Sequence, residues 1–369
     1  MILVYFAPVP WDSYPQRPHY IAQHFLRRGG HRVVWIDPYP TRLPRLRDLY
    51  RPRSTPALGP VCPGDLHVVS VHALPFEPLA AGAWINRTLV WSALARRMHP
   101  LVSDGSIAIG IGRPSALALS ALRELRPVWA FYDAMDDFPE FYSGVSKRSA
   151  QRSEEQIAKA VDVVVTASSA LWGKFASAGS RRSMIHNAFD MSPLPSLPIA
   201  RGGHRVFGYV GCVGAWFDWP LVARLADAVP DASVRVVGPC FSRPPRHLPS
   251  NVHLFPACSA GQAIEHLKGF SVGLVPFKLI PLTDAVDPIK YYGYRAMGLP
   301  VLSTAFGEMA RRGIEDRTFI VDRDAALAET ARATLDAGAP TGASVLAFRR
   351  EHAWEHRLDK AHLFDRAAL

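Results

Sequence analysis

The feature that most constrains this chain is a rhythm that occurs twice: short runs rich in Val, Ile and aromatic residues, separated by helix-length stretches. In the first half the runs are Ile2–Phe6, Arg32–Ile36, His67–Ser70, Ile107–Ile111, Val128–Tyr132 and Asp162–Thr166. In the second half they are Val206–Val210, Ser233–Val237, Ser271–Val275, Pro300–Ser303 and Thr318–Val321. Strands that alternate with helices predict βαβ units, and so an open α/β sheet in each half. Between the two sets, Met191–His204 (MSPLPSLPIARGGH) holds three prolines and two glycines without periodicity, which reads as a linker. The expected organisation is a Rossmann-like domain over 1–190, a linker over 191–204, a second Rossmann-like domain over 205–345 and a final helix over 346–369. Ala347, Trp354, Leu358 and Ala361 lie near one face of that helix, which is expected to cross back and brace the first domain. A chain of 369 residues accommodates two such domains.

The opening MILVYFAPVPW has no basic segment before it and contains two prolines, so it reads as a first core strand and not as a signal peptide. No apolar run reaches the roughly 18 to 20 residues that cross a bilayer, so any membrane contact is expected to be peripheral. Cys62, Cys212, Cys240 and Cys258 are far apart and lack metal-ligand spacing, which suits a reducing cytoplasm and suggests no structural metal. Charge is placed unevenly. Residues 1–126 hold fifteen Arg and no Lys against seven acidic residues, so they carry +8 of the chain's net +10. An anionic partner accounts for this, either an anionic lipid surface or a pyrophosphate-linked acceptor, as does a merely solvated arginine-rich face. Nucleic acid is not expected, because no RNP-like motif, zinc finger or basic helix accompanies the charge.

The segment Asp287–Thr304 (DPIKYYGYRAMGLPVLST) is the most informative. Asp287 reads as an N-cap, Pro288 as the first helical residue and Gly298 as the left-handed stop. Lys290 then falls in the first turn, where a cation opposes the helix dipole by about 0.3 to 1 kcal/mol unless an anion lies between them. A diphosphate meets that need, because free amides, dipole and ammonium all point at it. Gly293 inside the helix costs about 1 kcal/mol relative to alanine, so a close approach to its backbone is expected, by a neighbouring helix or by a ligand.

After the strand Val206–Val210, the loop GYVGCVGAWFDWP places Gly208, Gly211 and Gly214 before a helix opened by Asp218 and Pro220, so its backbone can approach a phosphate or sugar. The strict GxGxxG order and its following acid are absent, which argues against a nicotinamide enzyme. In the first half, Val128–Tyr132 runs straight into DAMDDF, setting Asp133, Asp136 and Asp137 at the carboxyl edge of a strand. Clustered carboxylates raise one another's pKa, and one of them can then serve as a general base near neutral pH, with at least one other expected to cap a turn. The HxxEH pattern at His352, Glu355 and His356 matches a class of zinc peptidases. Only thirteen residues follow it, however, and it is set aside.

Taken together, these segments resemble the GT-B glycosyltransferases of bacterial surface-polysaccharide synthesis, a group that includes teichuronic-acid glycosyltransferases and, more distantly, the xanthan glucuronosyltransferase. The segments that carry the resemblance are RPHYIAQHFLRRGGHRVVWID, FYDAMDDF, AVDVVVTASSAL, IHNAFD, GYVGCVGAWFDW, VGLVPF and DPIKYYGYRAMGLPVLST. The resemblance implies two Rossmann-like domains facing a cleft, with Asp136 as catalytic base and Lys290 on the donor diphosphate. It places Gly211, Cys212, Val213, Gly214, Phe277, Ile289 and Gly293 around the donor. Trp11, Arg17, His19 and Asp133 are the candidates for the acceptor side. Many retaining relatives carry two glutamates eight positions apart, where this chain has Ala285 and Gly293, so ribose recognition by that glutamate is absent.

The expectation is therefore an inverting, metal-independent hexosyl transfer without a bound cofactor, from a nucleotide sugar to a glycan or polyprenyl-diphosphate-linked acceptor. A UDP-sugar is expected ahead of a GDP-sugar. The protein is expected in the cytoplasm, in contact with the inner face of the cell membrane. The rival readings are a non-catalytic partner subunit of the same fold and a nicotinamide-dependent oxidoreductase or epimerase.

Overall fold

A computed structural model describes residues 1–43, 64–74, 77–192, 194–197, 199, 205–321 and 326–365. The proline- and arginine-rich run Pro38–Pro60, which its sequence marks as a basic loop, lies outside the described residues from 44 onward, as do Cys62 and residues 193, 198 and 200–204 of the expected linker. The chain forms two compact units, Met1–Ile185 with Leu358–Leu369, and His186–Arg357.

The first unit is built on β1 (Ile2–Phe6), β2 (Arg32–Ile36), β3 (Asp65–Val69), β4 (Ile107–Ile111), β5 (Trp129–Ala134), β6 (Val163–Thr166) and β7 (Arg181–Met184). They form one parallel sheet in the order β3-β2-β1-β4-β5-β6-β7. All five residues of β1 are buried, as a parallel strand covered on both faces requires. Tyr5 pairs with Trp35 on one side and Gly110 on the other, and its ring stacks on Trp35 at 5.4 Å. A Cβ at position 110 would lie 2.5 Å from the Tyr5 ring, so glycine makes the space that the tyrosine fills. The helix Arg17–Arg27 buries Ile21, Ala22, Phe25 and Leu26, and it ends before Gly29 and Gly30, as the pattern predicts.

The second unit is built on β8 (Val206–Val210), β9 (Ser233–Val237), β10 (Val252–Phe255), β11 (Val272–Val275), β12 (Val301–Thr304) and β13 (Thr318–Val321). Their order is β10-β9-β8-β11-β12-β13, again parallel throughout. In each sheet the strand order reverses next to the first strand, between β1 and β4 and between β8 and β11. A ligand crevice opens outside the carboxyl ends at such a reversal.

β7 and β10 were not expected. Both are edge strands, and RRSM and VHLF carry polar side chains and are at best half-buried, so neither gives an apolar run. The final helix is also different from its expected form. Gly342–His352 and Trp354–Ala361 are separate helices, because Ala353 turns extended (ψ 147°) to pair with Phe189. The Phe189 amide donates to the His352 carbonyl at 3.3 Å, and the Trp354 amide to the Phe189 carbonyl at 3.2 Å. Gly342–His352 belongs to the second unit, with Phe348 stacked on Phe189 at 6.4 Å, and only the chain from Leu358 onward joins the first. There Phe364 lies 4.9 Å from the Phe25 ring and 5.8 Å from Phe131, while Asp365 pairs with Arg28 at 2.8 Å.

A Phe364→Ala change is expected to destabilise the first unit by about 3 kcal/mol through the cavity it leaves. Urea unfolding of the full chain measures this, and an unchanged transition would show that the segment contributes no core.

Candidate functional site

In the second unit, β8 delivers its loop to the carboxyl edge beside β11. Gly211 has φ +142°, and a Cβ there would meet Lys290 Cε at 2.5 Å and Nζ at 2.7 Å. Gly238 has φ +136°, and a Cβ there would lie 2.3 Å from the Gly211 carbonyl oxygen. Two glycines in sequence-distant loops therefore make the groove that the Lys290 side chain occupies. The amides of Gly211 and Val213 donate to Val237 and Pro239 at 2.8 and 2.9 Å, which pins the loop. Those of Cys212 and Gly214 have no acceptor among the described residues, nor do those of Ile289 and Lys290 at the start of the helix Ile289–Ala296. A site with free amides on two elements and a cation between them is suited to an anion.

Lys290 is the centre of this arrangement. Its ammonium lies 5.1 Å from the Tyr209 ring centroid and 5.8 Å from that of Phe277, and no carboxylate pairs with it among the described residues. Burial lowers its pKa to about 8, because the charged form loses water without gaining a counter-ion. Phe277 is buried and packs against Phe306 at 4.9 Å, so it forms the aromatic floor under the lysine. Cys212, whose thiol burial raises in pKa, lies close enough to feel the Lys290 charge.

Asp287 corrects one expectation. The N-cap is Pro288, one residue later, and the Asp287 carboxylate does not cap the helix. It is fully buried, where it accepts from the Asn187 amide at 2.7 Å, the Tyr292 hydroxyl at 2.9 Å and the Arg312 guanidinium at 2.7 Å. It fixes the angle at which the helix, and Lys290 with it, enters the site. Gly293 has open space beside it, so no neighbouring helix approaches it there. Gly298 has φ +74° and ends the helix as expected.

In the first unit, β5 carries Asp133 at its end and the loop beyond it carries Asp136 and Asp137. Their fates differ. Asp133 is fully buried and accepts from Arg17 Nε at 2.7 Å and from the Tyr5 hydroxyl at 3.1 Å, and Arg17 also donates to the Ile185 carbonyl. Asp137, at the cap position of the short 3-10 turn Phe138–Phe141, takes Lys174 at 2.8 Å; Lys174 also holds the buried Glu154, which accepts from the Tyr132 hydroxyl at 2.7 Å. Asp136 has no ion-pair or hydrogen-bond partner for its side chain among the described residues. Desolvation raises its pKa to about 7, with Asp133 and Asp137 adding to the rise and Arg17 opposing it. It is the carboxyl group in this cluster poised to take a proton at neutral pH.

Arg17, His19 and Asp133 are wholly buried. His19 Nδ1 accepts from the Gln16 amide at 3.1 Å, which leaves Nε2 to donate to the Trp11 carbonyl at 3.2 Å. Its pKa is lowered by burial, in keeping with this neutral tautomer. Trp11, half-buried, packs edge-on against Trp35 at 4.9 Å. His352 of the HxxEH pattern stacks 4.2 Å from Phe348, and burial lowers its pKa to about 4. The sequence reading had missed Lys174 and Glu154, which sit on ordinary polar helices, and the Asp287–Arg312 pair, whose members are 25 residues apart.

No protein-family model matches the sequence, and no curated protein is similar to it. Solved structures do match. The sucrose-phosphate synthase of Thermosynechococcus elongatus is similar over 100% of this chain and 99% of its own, with a TM-score of 0.67 at 14% identity. The trehalose-6-phosphate protein of E. coli bound with UDP-2-fluoro glucose covers 100% and 99%, with a TM-score of 0.65 at 13% identity. The UDP-forming α,α-trehalose-phosphate synthase of Burkholderia xenovorans, in complex with glucose-6-phosphate, covers 99% of each chain with a TM-score of 0.62 at 12% identity. The two parallel α/β units are thus those of the GT-B fold.

Lys290→Met is expected to stabilise the ligand-free protein at pH 7 by about 2 kcal/mol. The lysine's folded pKa lies below its unfolded value of 10.5, so it costs stability below about pH 8 and the cost vanishes as pH rises to 10.5. Denaturant midpoints of both proteins across that range check the sign. Asp133→Asn, by contrast, removes the buried carboxylate that Arg17 Nε reaches at 2.7 Å and is expected to cost about 3 to 5 kcal/mol. A midpoint shift below 1 kcal/mol would sink the view that this pair frames the loop.

Proposed function

We propose that the protein transfers a sugar from a nucleotide-sugar donor to an acceptor hydroxyl, with Lys290 holding the donor diphosphate and Asp136 taking the acceptor proton. The observation that carries this reading is Lys290 itself: a desolvated ammonium, set in a glycine groove among free amides, with no carboxylate partner among the described residues. A diphosphate supplies the missing charge and accepts from those amides.

In the proposed reaction the acceptor oxygen attacks the anomeric carbon as its proton passes to Asp136. The bond from that carbon to the diphosphate oxygen breaks, and its electron pair leaves with the nucleoside diphosphate, whose charge Lys290 and the helix N-terminus stabilise. The sugar's configuration inverts. We further propose a hexosyl donor on UDP in preference to GDP, a glycan or polyprenyl-diphosphate-linked acceptor, and a place in surface-polysaccharide synthesis at the cytoplasmic face of the membrane. The resemblance to teichuronic-acid and xanthan enzymes and the arginine surplus of residues 1–126 support these finer points. The donor-side ring Gly211, Cys212, Val213, Gly214, Phe277, Ile289 and Gly293 surrounds the diphosphate in this reading, with Trp11 toward the acceptor.

A second reading, a partner subunit that binds a donor without turning it over, is favoured by Ala285, which is buried, and by the empty space beside Gly293, where no carboxylate reaches for a ribose.

Thermal shift with a panel of nucleotide sugars is expected to raise the melting midpoint for one donor class in the native protein and not in Lys290→Met. Asp136→Asn should keep that shift and lose transfer by about a hundredfold or more. Transfer should fall as pH drops below about 7, because a base with that pKa is then protonated. Donor binding without detectable transfer in the native protein would favour the second reading, and absence of any shift would overturn both.

A further inference from the structure

The helical segment Ala80–Val102 belongs to no part of the site. It runs as the helix Ala80–Ile85, a π-helical turn Asn86–Trp91 and the helix Ser92–Val102. Asn86, fully buried, clips it to the preceding loop by accepting from the Leu74 amide and donating to the Leu74 carbonyl, both at 2.9 Å. Asn86, Trp91, Leu94, Met98 and Val102 face inward. The five-residue step from Asn86 to Trp91 is the π turn's own period, and it keeps the inward seam continuous while turning the residues between outward.

What faces outward is unusual for a folded surface. Trp84 is 67% exposed and Leu89 70%, the latter among the most exposed large hydrophobic side chains of the described residues. Arg87, Arg96 and Arg97 are exposed along the same helical segment, and none has a carboxylate partner among the described residues. From Pro78 to Ser103 the sequence holds no aspartate or glutamate. Surface arginines ordinarily sit among acidic neighbours, and a tryptophan ordinarily buries its ring.

We propose that this face docks on an anionic bilayer surface, with Trp84 and Leu89 seated at the headgroup level and Arg87, Arg96 and Arg97 on lipid phosphates. Charge selects this occupant. A second copy would set three unpaired arginines against three more across a two-fold axis, whereas an anionic lipid surface neutralises them. Tryptophan suits the headgroup region, because its ring is apolar and its N–H needs a wet partner. Among the described residues no helix is long and apolar enough to span the membrane, so the attachment is interfacial and reversible. The inference rests on the proposed acceptor only in its purpose, since it explains how a lipid-linked substrate meets the enzyme.

Co-sedimentation of the full chain with vesicles tests it, using phosphatidylcholine alone or with about a third phosphatidylglycerol. The native protein should pellet with the anionic vesicles and be released by high salt. The triple change Arg87→Glu, Arg96→Glu, Arg97→Glu should weaken binding by about a hundredfold or more, and Trp84→Ser with Leu89→Ser by about tenfold or more. Melting midpoints and the donor-induced thermal shift should stay as in the native protein, since all five side chains point outward. Equal binding by the native protein and its variants, or none by the native protein, would overturn the proposal. So would a concentration-dependent dimer that Trp84→Ser with Leu89→Ser dissolves, because the face would then belong to a second copy. Vesicle binding with no donor shift would leave the docking face standing and remove the transferase reading.

Discussion

The ligand side of this protein depends on a cation kept where a cation is costly. Lys290 stands at the positive end of a helix, over two aromatic rings, in a groove cut by two glycines with left-handed backbones. Each of these features alone has a mundane explanation. Their combination does not, because folding has spent two unusual backbone conformations and a desolvated ammonium on one point. Bonded groups pin the elements that carry it: the loop amides of Gly211 and Val213 are bonded, and Asp287 accepts from Asn187, Tyr292 and Arg312. The rigid shell fixes the lysine, and the lysine is left unsatisfied.

The first unit solves the converse problem. Three carboxylates crowd the end of β5, and two are neutralised by cations anchored elsewhere in the unit, Asp133 by Arg17 and Asp137 by Lys174. Asp136 has no such ion pair among the described residues, and burial raises its proton affinity. Desolvation of the one unpaired carboxyl is thus what singles out one acid from a run of near-identical residues. An Asp in a DAMDDF string has no individual chemistry until its surroundings assign one.

Much of the architecture was legible in the sequence, because a buried parallel strand must be nearly continuous in apolar residues and its crossover must be helix-length. That logic finds β1, β2, β4, β8, β9 and β13 at their observed boundaries, and it fails for β7 and β10, whose edge positions ask nothing of their side chains. Lys290 was legible because its position breaks a local electrostatic rule. Asp287 was misread because a perfectly good capping residue was claimed by a buried network that links His186–Asn187 to Arg312, a contact at long sequence range. Arg17, His19 and Asp133 are buried side chains, and sequence position alone does not tell a buried residue at the edge of a sheet from an exposed one.

The first unit is discontinuous along the chain: it begins at Met1 and takes up again only at Leu358, after the whole of His186–Arg357. The aromatic contact of Phe364 with Phe25 and Phe131 therefore forms only after the whole of His186–Arg357 has been synthesised. Vectorial synthesis presents the second unit complete while the first still lacks a piece of its core. A chain cut short of Leu358 lacks the ring that packs on Phe25 and Phe131, so part of the first unit's core stays uncovered until that segment is made.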